Sequence, residues 1–236
     1  MKIYTRSKGF RFFKSFLRIF IRKPRFVFLG EKFTDNAIYL SNHCGAKGPL
    51  SLELYFPKHF RFWGTYEMNS TYKLRFKYLS TTYFHQKKHI NKVLSFLISI
   101  IATPVMTVFY KGLNLISTYP DGRVFTTIKT SLNVLLNDKK SIIIFPENSS
   151  TGYHDDLIEF HNGFLALAEM AYRKGVDLPI YLMYFRKKQK VFVVDEPIMF
   201  SKIKESNKSK DEIAEQFRVR CNQLGKIDIS NNKTVE

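Results

Sequence analysis

The fold is decided by the stretch Ala37-Ile38-Tyr39-Leu40-Ser41-Asn42-His43-Cys44-Gly45-Ala46-Lys47-Gly48-Pro49, in which an apolar run ends on a histidine and a glycine-rich turn. Ile38 to Leu40 predict the end of a buried strand, and the glycines and the proline that follow prevent its continuation. His43 is therefore expected at the end of a strand, where loops at the edge of a sheet carry functional residues.

A second stretch is of the same kind. It reads Ser141-Ile142-Ile143-Ile144-Phe145-Pro146-Glu147-Asn148-Ser149-Ser150 and ends a purely apolar run on a proline and a carboxylate. The order of strand, site loop, helix and strand after His43 predicts an α/β layer fold. We expect the two strand ends to face one site, so that His43 and Glu147 lie together.

The composition indicates a folded chain with an anionic partner. Of the 236 residues 44% are hydrophobic and 23 are phenylalanine, which excludes a disordered protein. The formal net charge of +18 favours a phospholipid surface, a nucleic acid, or a phosphorylated or CoA-type ligand. The two cysteines, Cys44 and Cys221, lie far apart, which excludes a disulfide framework, and no zinc-ligand spacing occurs.

The N-terminal segment is basic and aromatic. From Arg6 onward its cations recur every three or four positions, at Arg11, Lys14, Arg18, Arg22 and Arg25. On a helix they form one stripe, and apolar residues fill much of the rest, which predicts a basic amphipathic helix in a membrane interface, ended by Pro24. The alternatives are a helix packed on the core and a nucleic-acid-binding arm. We divide the chain into this membrane-contacting helix (1–25), one domain (26–225) and a flexible tail (226–236).

The most hydrophobic segment, Val93 to Tyr110, carries no charge and only just reaches the length of a membrane span. A crossing there would place His43 and Glu147 on opposite sides of a bilayer. We therefore expect a bent, surface-inserted helical hairpin or a core helix. The preceding Lys73 to Lys92, in which lysines lie among aromatic residues, is a second interfacial candidate or a solvated helix face.

Three later parts of the chain carry local signals. Gly112 to Arg123 predicts a loop. Pro179 to Phe185 and Lys190 to Val194 predict strands near the edge of the sheet. Ser209 and Glu212 form a capping-box pattern at the start of a last helix.

With both stretches identified, the chain resembles the glycerolipid acyltransferases, the family of 1-acylglycerol-3-phosphate acyltransferases. The family's first block, Asn-His followed by Asp and often Pro, is matched by Asn42, His43 and Pro49. Its third block, Phe-Pro-Glu-Gly-Thr-Arg, is similar to Phe145 to Ser150, and the helix start that follows is similar to Phe160 to Gly163. The resemblance implies a glycerol-3-phosphate acyltransferase-like fold, with a mostly parallel or mixed central sheet flanked by helices.

The resemblance spans Ala37 to Ile198 and has three departures. The acid partner of the histidine falls at Gly48, which has no side chain. The arginine of the second block falls near Thr118, and Arg123 lies a little further on. The third block ends in Asn-Ser-Ser instead of Gly-Thr-Arg. The carboxylate that orients the base and the two phosphate-holding cations are thus missing from their usual positions.

What the resemblance implies is direct acyl transfer, from acyl-CoA or acyl carrier protein to a hydroxyl of a lysophospholipid or related acceptor. The base would be His43, since a neutral imidazole with a pKa of about 6.5 is available at physiological pH. Glu147 is the second catalytic candidate and would shape the acceptor pocket. The candidate substrate-binding residues are Asn42, Lys47, Arg123, Pro146, Asn148 and Ser149. No metal is expected, and no cofactor beyond the thioester co-substrate.

Without an aspartate, the second ring nitrogen of His43 needs another acceptor, for which a backbone carbonyl, Glu53, Asp121 and Glu147 are the candidates. Cys44 is not expected to act as a nucleophile, because neighbouring residues on an extended chain point to opposite sides.

The expected location is the cytoplasmic face of an anionic phospholipid membrane, with the thioester donor and the lysolipid acceptor as partners. The alternative function, motivated by Gly48, is a lipid-binding protein that keeps the acyltransferase fold with impaired catalysis. A nucleic-acid-binding protein ranks last, because no reading motif is present, and no nucleic-acid partner is expected.

Overall fold

The computed structural model describes residues 7–148 and 151–229 and the backbone of Thr234–Val235. Within these residues the strands form one nine-stranded sheet. Their bounds are β1 Arg25–Phe28, β2 Ile38–Ser41, β3 Phe60–Thr65, β4 Ile116–Thr118, β5 Ser141–Ile144, β6 Pro179–Arg186, β7 Val191–Val194, β8 Ile198–Met199 and β9 Thr234–Val235.

The sheet is mostly parallel. Its order is β4-β3-β5-β2-β6-β7-β1-β9, and β8 pairs with β6 outside this path. The first five strands of that order are parallel, β7 is antiparallel to β6, and β1 is parallel to β7. The predicted α/β fold with a mostly parallel sheet is confirmed. Because β2 and β5 are parallel neighbours, with Leu40 opposite Ile144, both predicted site loops leave the same edge of the sheet.

Helices cover both faces of the sheet. Their bounds are α1 Lys8–Phe20, α2 Lys47–Tyr55, α3 Tyr72–Lys77, a π-helix Tyr78–Lys87, α4 Lys92–Leu113, α5 Val124–Leu136, α6 Gly163–Tyr172, α7 Phe200–Glu205 and α8 Lys210–Lys226. Side chains alternate along a strand, so β2 sends Ile38 and Leu40 into the core beneath α5, α6 and α8. Tyr39 points to the other face, into an aromatic core beneath α1 and α2, where it stacks on Tyr181.

The later part of the chain differs from the prediction at two places. We predicted β6 and β7 near the sheet edge, but β6 is central, because β1 and β9 pair beyond β7. The loop predicted over Gly112 to Arg123 contains the short strand β4, which pairs in parallel with β3. The capping box of Ser209 and Glu212 at the start of α8 is confirmed.

Regular structure is described near both ends of the chain. α1 ends at Phe20, ahead of Pro24, since Ile21 already has an extended backbone. Arg6 lies outside the described residues. α8 runs through Gly225 to Lys226, and Thr234–Val235 pairs with β1 in antiparallel fashion.

The hydrophobic segment is neither a hairpin nor a core helix. It forms the single helix α4, which contains Pro104 and packs on α3 and the π-helix. Its polarity is inverted relative to a helix of a water-soluble protein, because the small polar residues Ser95, Ser99 and Thr103 are fully buried. The hydroxyls of Ser99 and Thr103 donate to carbonyls one turn earlier in α4, at 2.7 and 2.6 Å, so their burial leaves no unmatched polar group.

The large apolar residues of α4 face outward instead. Ile101 is 77% exposed and Val108 71% exposed, and six further apolar residues of α4 are also exposed: Val93, Leu94, Phe96, Leu97, Ile100 and Val105. α4 is also long and apolar enough to span a membrane by length and composition. An apolar stripe of this extent on a protein surface marks a contact with lipid or protein.

Candidate active site

The end of β2 is fixed by the buried side chain of Asn42. Its Oδ1 accepts from the backbone N–H of Phe185 at 2.6 Å, and its Nδ2 donates to the Phe185 carbonyl at 3.3 Å. The chain then turns sharply through Cys44 and Gly45, which have φ angles of +47° and +65°. His43 is therefore held between an anchored strand end and a tight turn that leads into α2.

Glu147 meets His43 from the end of β5. Its carboxylate accepts a hydrogen bond from the backbone N–H of His43 at 3.1 Å. Burial raises the pKa of Glu147 to about 7, against the opposing effects of the His43 N–H and the Lys87 ammonium. The two predicted strand ends thus converge. The hydrogen bond of Glu147 is made to the backbone of His43 and not to its imidazole ring.

The imidazole of His43 is positioned by aromatic rings. It stacks on Tyr153 with centroids 4.8 Å apart and an interplanar angle of 20°, and it packs against the ring of Phe145, also at 4.8 Å. Its Nδ1 is enclosed and has no hydrogen-bond partner among the described residues. The backbone of Gly45 lies close enough to raise the pKa of the imidazole, but it does not meet the geometry of a hydrogen bond to Nδ1.

None of the three candidate carboxylates orients the ring. Glu53 forms an ion pair with Lys14 at 2.9 Å, and Asp121 binds Arg123. Glu147 binds the backbone of His43, as described above. The ring is therefore oriented by packing, without a carboxylate partner in the part of the chain that the structure describes.

The same surroundings keep His43 neutral. Burial lowers the pKa of its imidazole to about 4, the ammonium groups of Lys87 and Lys88 act in the same direction, and the Gly45 backbone opposes them. A neutral imidazole is the form that accepts a proton, so His43 is in the form of a general base across the physiological pH range.

Gly48 occupies the position where the resembling family carries its acid. A Cβ built there would lie 2.5 Å from the carbonyl oxygen of His43, far closer than such atoms approach. Only glycine fits unless the backbone shifts. The backbone after His43 thus leaves no room for a carboxylate side chain at position 48.

His43 opens onto an apolar cavity of about 310 Å³. This volume lies at the lower end of the range for small-molecule sites. Its walls come from α1, α2, β3, the π-helix and α4, and include Phe13, Leu17, Phe62, Leu79, Met106, Phe109 and Leu113. Few polar residues line it, among them His43, Glu53, Thr65 and several tyrosines. The cavity can hold a hydrocarbon chain with its polar end near the imidazole.

Two cations stand beside the imidazole on its Tyr153 side. The ammonium nitrogens of Lys87 and Lys88 lie 5.8 and 5.5 Å from the centroid of the Tyr153 ring, which is itself stacked on His43. A Cβ at Gly45 would come within 3.2 Å of the Lys88 nitrogen, so the glycine leaves room for that group. Both lysines come from the end of the π-helix, an uncommon element that is frequent at functional sites.

The predicted phosphate cations are placed elsewhere. Lys47 is exposed on the first turn of α2 and does not line the cavity. Arg123 is exposed too. Its guanidinium is bound by the carboxylate of Asp121 and lies over the rings of Tyr66 and Tyr119, at 4.9 and 4.3 Å from their centroids. This contact lowers the pKa of Asp121 to about 2, chiefly through the hydrogen bonds from Arg123.

The other predicted binding residues support the loops behind the site. The side-chain amide of Asn42 is hydrogen-bonded to the backbone of Phe185, and the Pro146 carbonyl accepts from the backbone N–H of His161 at 2.8 Å. Asn148 donates from its side chain to the Glu159 carboxylate at 2.7 Å. Ser149 lies outside the described residues.

The Cys44 thiol contacts the backbone of β6, and the backbone at Cys44 is left-handed, not extended as predicted from the sequence. Its Sγ lies 3.5 Å from the Phe185 carbonyl, and burial raises its pKa to about 11, so the thiolate is suppressed at neutral pH. Within residues 7–148 and 151–229 no group of three or more His, Cys, Asp or Glu side chains is placed to hold a metal ion.

Sequence reasoning missed Lys87, Lys88 and Tyr153 as residues of the site. The lysines were noticed only as part of a basic and aromatic stretch, and the irregular π-helix that brings them over the turn carries no sequence signal. Tyr153 follows the third block closely, which was the one available hint.

Comparison with known proteins extends the likeness at the level of the fold. No protein-family model and no curated protein sequence matches the chain. Its structure is similar to the crystal structure of the 1-acyl-sn-glycerophosphate (LPA) acyltransferase PlsC from Thermotoga maritima, with a TM-score of 0.50 and 14% sequence identity. The match covers 93% of this chain and 78% of that protein. At this identity the likeness concerns the fold alone.

Proposed function

Taking the PlsC-like fold as the premise, we propose that the chain is a peripheral membrane acyltransferase. It transfers a fatty acyl group from the thioester of acyl-CoA or acyl carrier protein to a hydroxyl of a lysophospholipid or related acceptor. His43 is the general base. The observation that carries this proposal is the position of an imidazole, packed against the rings of Phe145 and Tyr153, at the wall of a hydrocarbon-lined cavity.

The reaction needs one proton carrier and no covalent enzyme intermediate. His43 takes the proton of the acceptor hydroxyl as its oxygen attacks the thioester carbonyl, and the new ester bond forms as the carbon–sulfur bond breaks. The proton then passes from the imidazolium to the leaving thiolate. The low pKa of His43 makes it a weaker base than a carboxylate-paired histidine, so a slow enzyme is expected.

Lys87 and Lys88 are the residues best placed to hold a phosphate near the reacting atoms. We prefer them to Lys47 and Arg123, because their ammonium groups lie over Tyr153, the ring stacked on His43, and act on the charge of the imidazole, although none of the four cations lines the cavity itself. Both cations favour an anionic acceptor, and both disfavour the imidazolium form of His43, which helps to return the proton.

Membrane contact is supported by two helices that pack together. Phe10 and Phe13 of α1 contact the ring of Phe109 in α4, with centroids 5.9 and 6.1 Å apart. Beside this joint, α1 exposes Phe12, Phe16, Ile19 and Phe20, and α4 exposes its aliphatic stripe. Since both helices also form the cavity wall, an acyl chain can pass from a bilayer into the cavity without crossing water.

The test is turnover by the purified chain, with labelled acyl-CoA and a panel of lysolipids presented in vesicles. We expect turnover that His43→Ala abolishes and that His161→Ala, a control at an exposed histidine, leaves unchanged. Equal product from wild type and His43→Ala would refute the proposal.

The second candidate is a lipid-binding protein with the acyltransferase fold and impaired catalysis. It is favoured by the enclosed, unpartnered Nδ1 of His43 and by Gly48, where no acid can be accommodated. It predicts that lysolipid or fatty acid binds in the cavity, measurable by fluorescence displacement, while no transfer occurs with any donor.

A further inference from the structure

A second groove lies along the basic side of α1, which differs from the side, with Phe13 and Leu17, that lines the apolar cavity. It has a volume of about 540 Å³ and is bounded by α1, the end of α2, the connection to β3 and the start of β3. Phe60 and Arg61 open β3 here and Lys140 precedes β5, so the groove lies at the amino end of the parallel strands. His43 and Glu147 lie at their carboxyl ends, so the groove and the candidate active site open at opposite ends of the strands, and they adjoin only at Glu53 among the described lining residues.

The groove is strongly cationic. Among the described residues that line it, Glu53 is the one carboxylate, against six cations, of which Lys58 also pairs with Asp35 beside the groove: Arg11, Lys14, Arg18, Lys58, Arg61 and Lys140. The Glu53 side chain is only 1% exposed and already pairs with Lys14. An anion entering the groove therefore meets positive charge on several sides, at the surface of the aromatic core.

Several of these cations are held in place before any ligand arrives. Arg18 donates to the Leu54 carbonyl at 2.5 and 3.1 Å. Arg61 donates to the backbone carbonyl of Asn114 at 2.8 Å and to its side-chain oxygen at 3.1 Å. Binding an anion to fixed side chains loses less conformational entropy than binding it to free ones.

α1 links this groove to a lipid surface. Its cations Arg11, Lys14 and Arg18 face the groove, while Phe12 and Ile19 on another side are 77% and 76% exposed. A helix is only about 10 Å across, so inserting the phenylalanine side among acyl chains places the groove at the depth of the headgroups. A phosphate ester is the anionic group found at that depth.

We propose that this groove binds the phosphate of an anionic phospholipid headgroup, as an anchoring site separate from the acyl-transfer site. The proposal rests on the membrane contact of α1 proposed above, and it is independent of the chemistry at His43. A soluble phosphate ester carries the same anionic group as a lipid headgroup, so the test includes both a lipid and a soluble ligand.

The experiment measures co-sedimentation of the full chain with vesicles of phosphatidylcholine alone and with one part in five of phosphatidylglycerol. The variant is Arg11→Gln with Lys58→Gln; Arg11 is exposed, Lys58 is half-buried and paired with Asp35 at 3.1 Å, and the loss of both cations leaves Lys14 and Glu53 paired. The matched control is Lys202→Gln with Lys208→Gln, which removes equal charge from exposed positions on α7 and the turn after it, outside the groove.

We expect the groove variant to lose at least about tenfold in affinity for the anionic vesicles, since a headgroup contact contributes about 1 kcal/mol, or fivefold, per cation. The control should lose less than about twofold, because charges beyond a Debye length of about 10 Å are screened. Equal losses in both variants, or no loss in either, would overturn the proposal. Binding to pure phosphatidylcholine must be the same in all three proteins; if even the wild type fails to bind it, the membrane contact of α1 fails and the groove proposal with it.

The soluble arm uses glycerol 3-phosphate, followed by NMR of the full chain, and His43→Ala serves to separate the two proposals. If glycerol 3-phosphate binds in the groove while the vesicle affinities of wild type and groove variant are equal, the lipid assignment is overturned in favour of a soluble ligand. The decisive quantity is the gain in vesicle affinity that phosphatidylglycerol adds. If the groove variant loses this gain while a His43→Ala protein without turnover keeps it in full, the groove is the binding site whatever the outcome for catalysis.

Discussion

Gly48 lies against the carbonyl oxygen of His43 so closely that a Cβ at position 48 would be 2.5 Å from that oxygen. Restoring an acid at this position should therefore harm the protein. We expect Gly48→Asp and Gly48→Ala to lower the free energy of unfolding by about 1–3 kcal/mol, as overpacking does, and to lower turnover because the His43 backbone must move. Chemical denaturation and turnover are the measurements.

The control for Gly48 is Gly122→Ala, since nothing lies within 4 Å of a Cβ at that exposed turn. It should be neutral for both stability and activity. If the Gly48→Asp protein is as stable as wild type and has a higher turnover, the turn can accommodate a side chain at position 48 and the steric argument for glycine is wrong.

The pH dependence of turnover should reflect the lowered pKa of the His43 imidazole. Because the pKa of His43 is lowered to about 4, the base stays neutral as pH falls from neutrality. We expect kcat/KM to change little down to about pH 5.5, where an ordinary histidine would cause about a tenfold loss. The profile is best measured in a Glu147→Gln background, which removes the other group that titrates in this range. An acid limb near pH 6.5 would contradict the packing described for the ring.

Glu147 should make the fold less stable at higher pH. Its pKa in the folded chain is about 7, above the ordinary value of 4.5, so the stability it contributes is fully present below pH 4.5 and is lost as pH rises through 7. The loss relative to Glu147→Gln should approach about 3 kcal/mol above pH 7, by the usual conversion of a pKa difference into free energy. Denaturation of both proteins across this range measures it, and parallel curves would refute it.

The sequence predicted the meeting of His43 and Glu147 because parallel neighbouring strands end at one edge, and apolar runs mark such strands well. It did not predict how the imidazole is held. Asn42 looks like a binding residue in the motif, yet its amide is spent on Phe185, more than a hundred positions away. The same limit applies to β6, whose central place depends on β1 pairing beyond β7.

The inverted helix α4 shows a second limit. Its composition was visible in the sequence, but hydropathy alone cannot tell which side faces protein. Ser95, Ser99 and Thr103 can be buried because their hydroxyls donate to backbone carbonyls within the helix or, for Ser95, to that of Ile90 two residues before it. The side that packs on α3 and the π-helix is thus the polar one, contrary to the usual rule.

Lys87 and Lys88 should matter most when the acceptor carries a phosphate. We expect Lys87→Gln with Lys88→Gln to raise KM for a lysophosphatidic acid by about tenfold or more, since hydrogen bonds to charged groups contribute about 1.5–3 kcal/mol. KM for an uncharged monoacylglycerol should change little. Lys73→Gln with Lys77→Gln, at exposed positions on the preceding helix, is the control. The variant should also raise the pKa of His43, because both ammonium groups lower it; an unchanged acid limb and unchanged KM would exclude these lysines from the site.

The apolar stripe of α4 should contribute to membrane binding without stabilising the fold. Ile101 is 77% exposed, so Ile101→Asn should leave the free energy of unfolding within about 0.5 kcal/mol of wild type. If Ile101 enters the hydrocarbon region, the same change removes burial worth about 1.5–3 kcal/mol and weakens vesicle binding by about tenfold to a hundredfold. The control is Ile158→Asn, at a loop residue that is 63% exposed and outside both α1 and α4. Co-sedimentation with phosphatidylcholine vesicles decides between them: a selective loss for Ile101→Asn identifies α4 as lipid-facing, and equal binding by both variants would leave α1 as the sole membrane contact among the described helices.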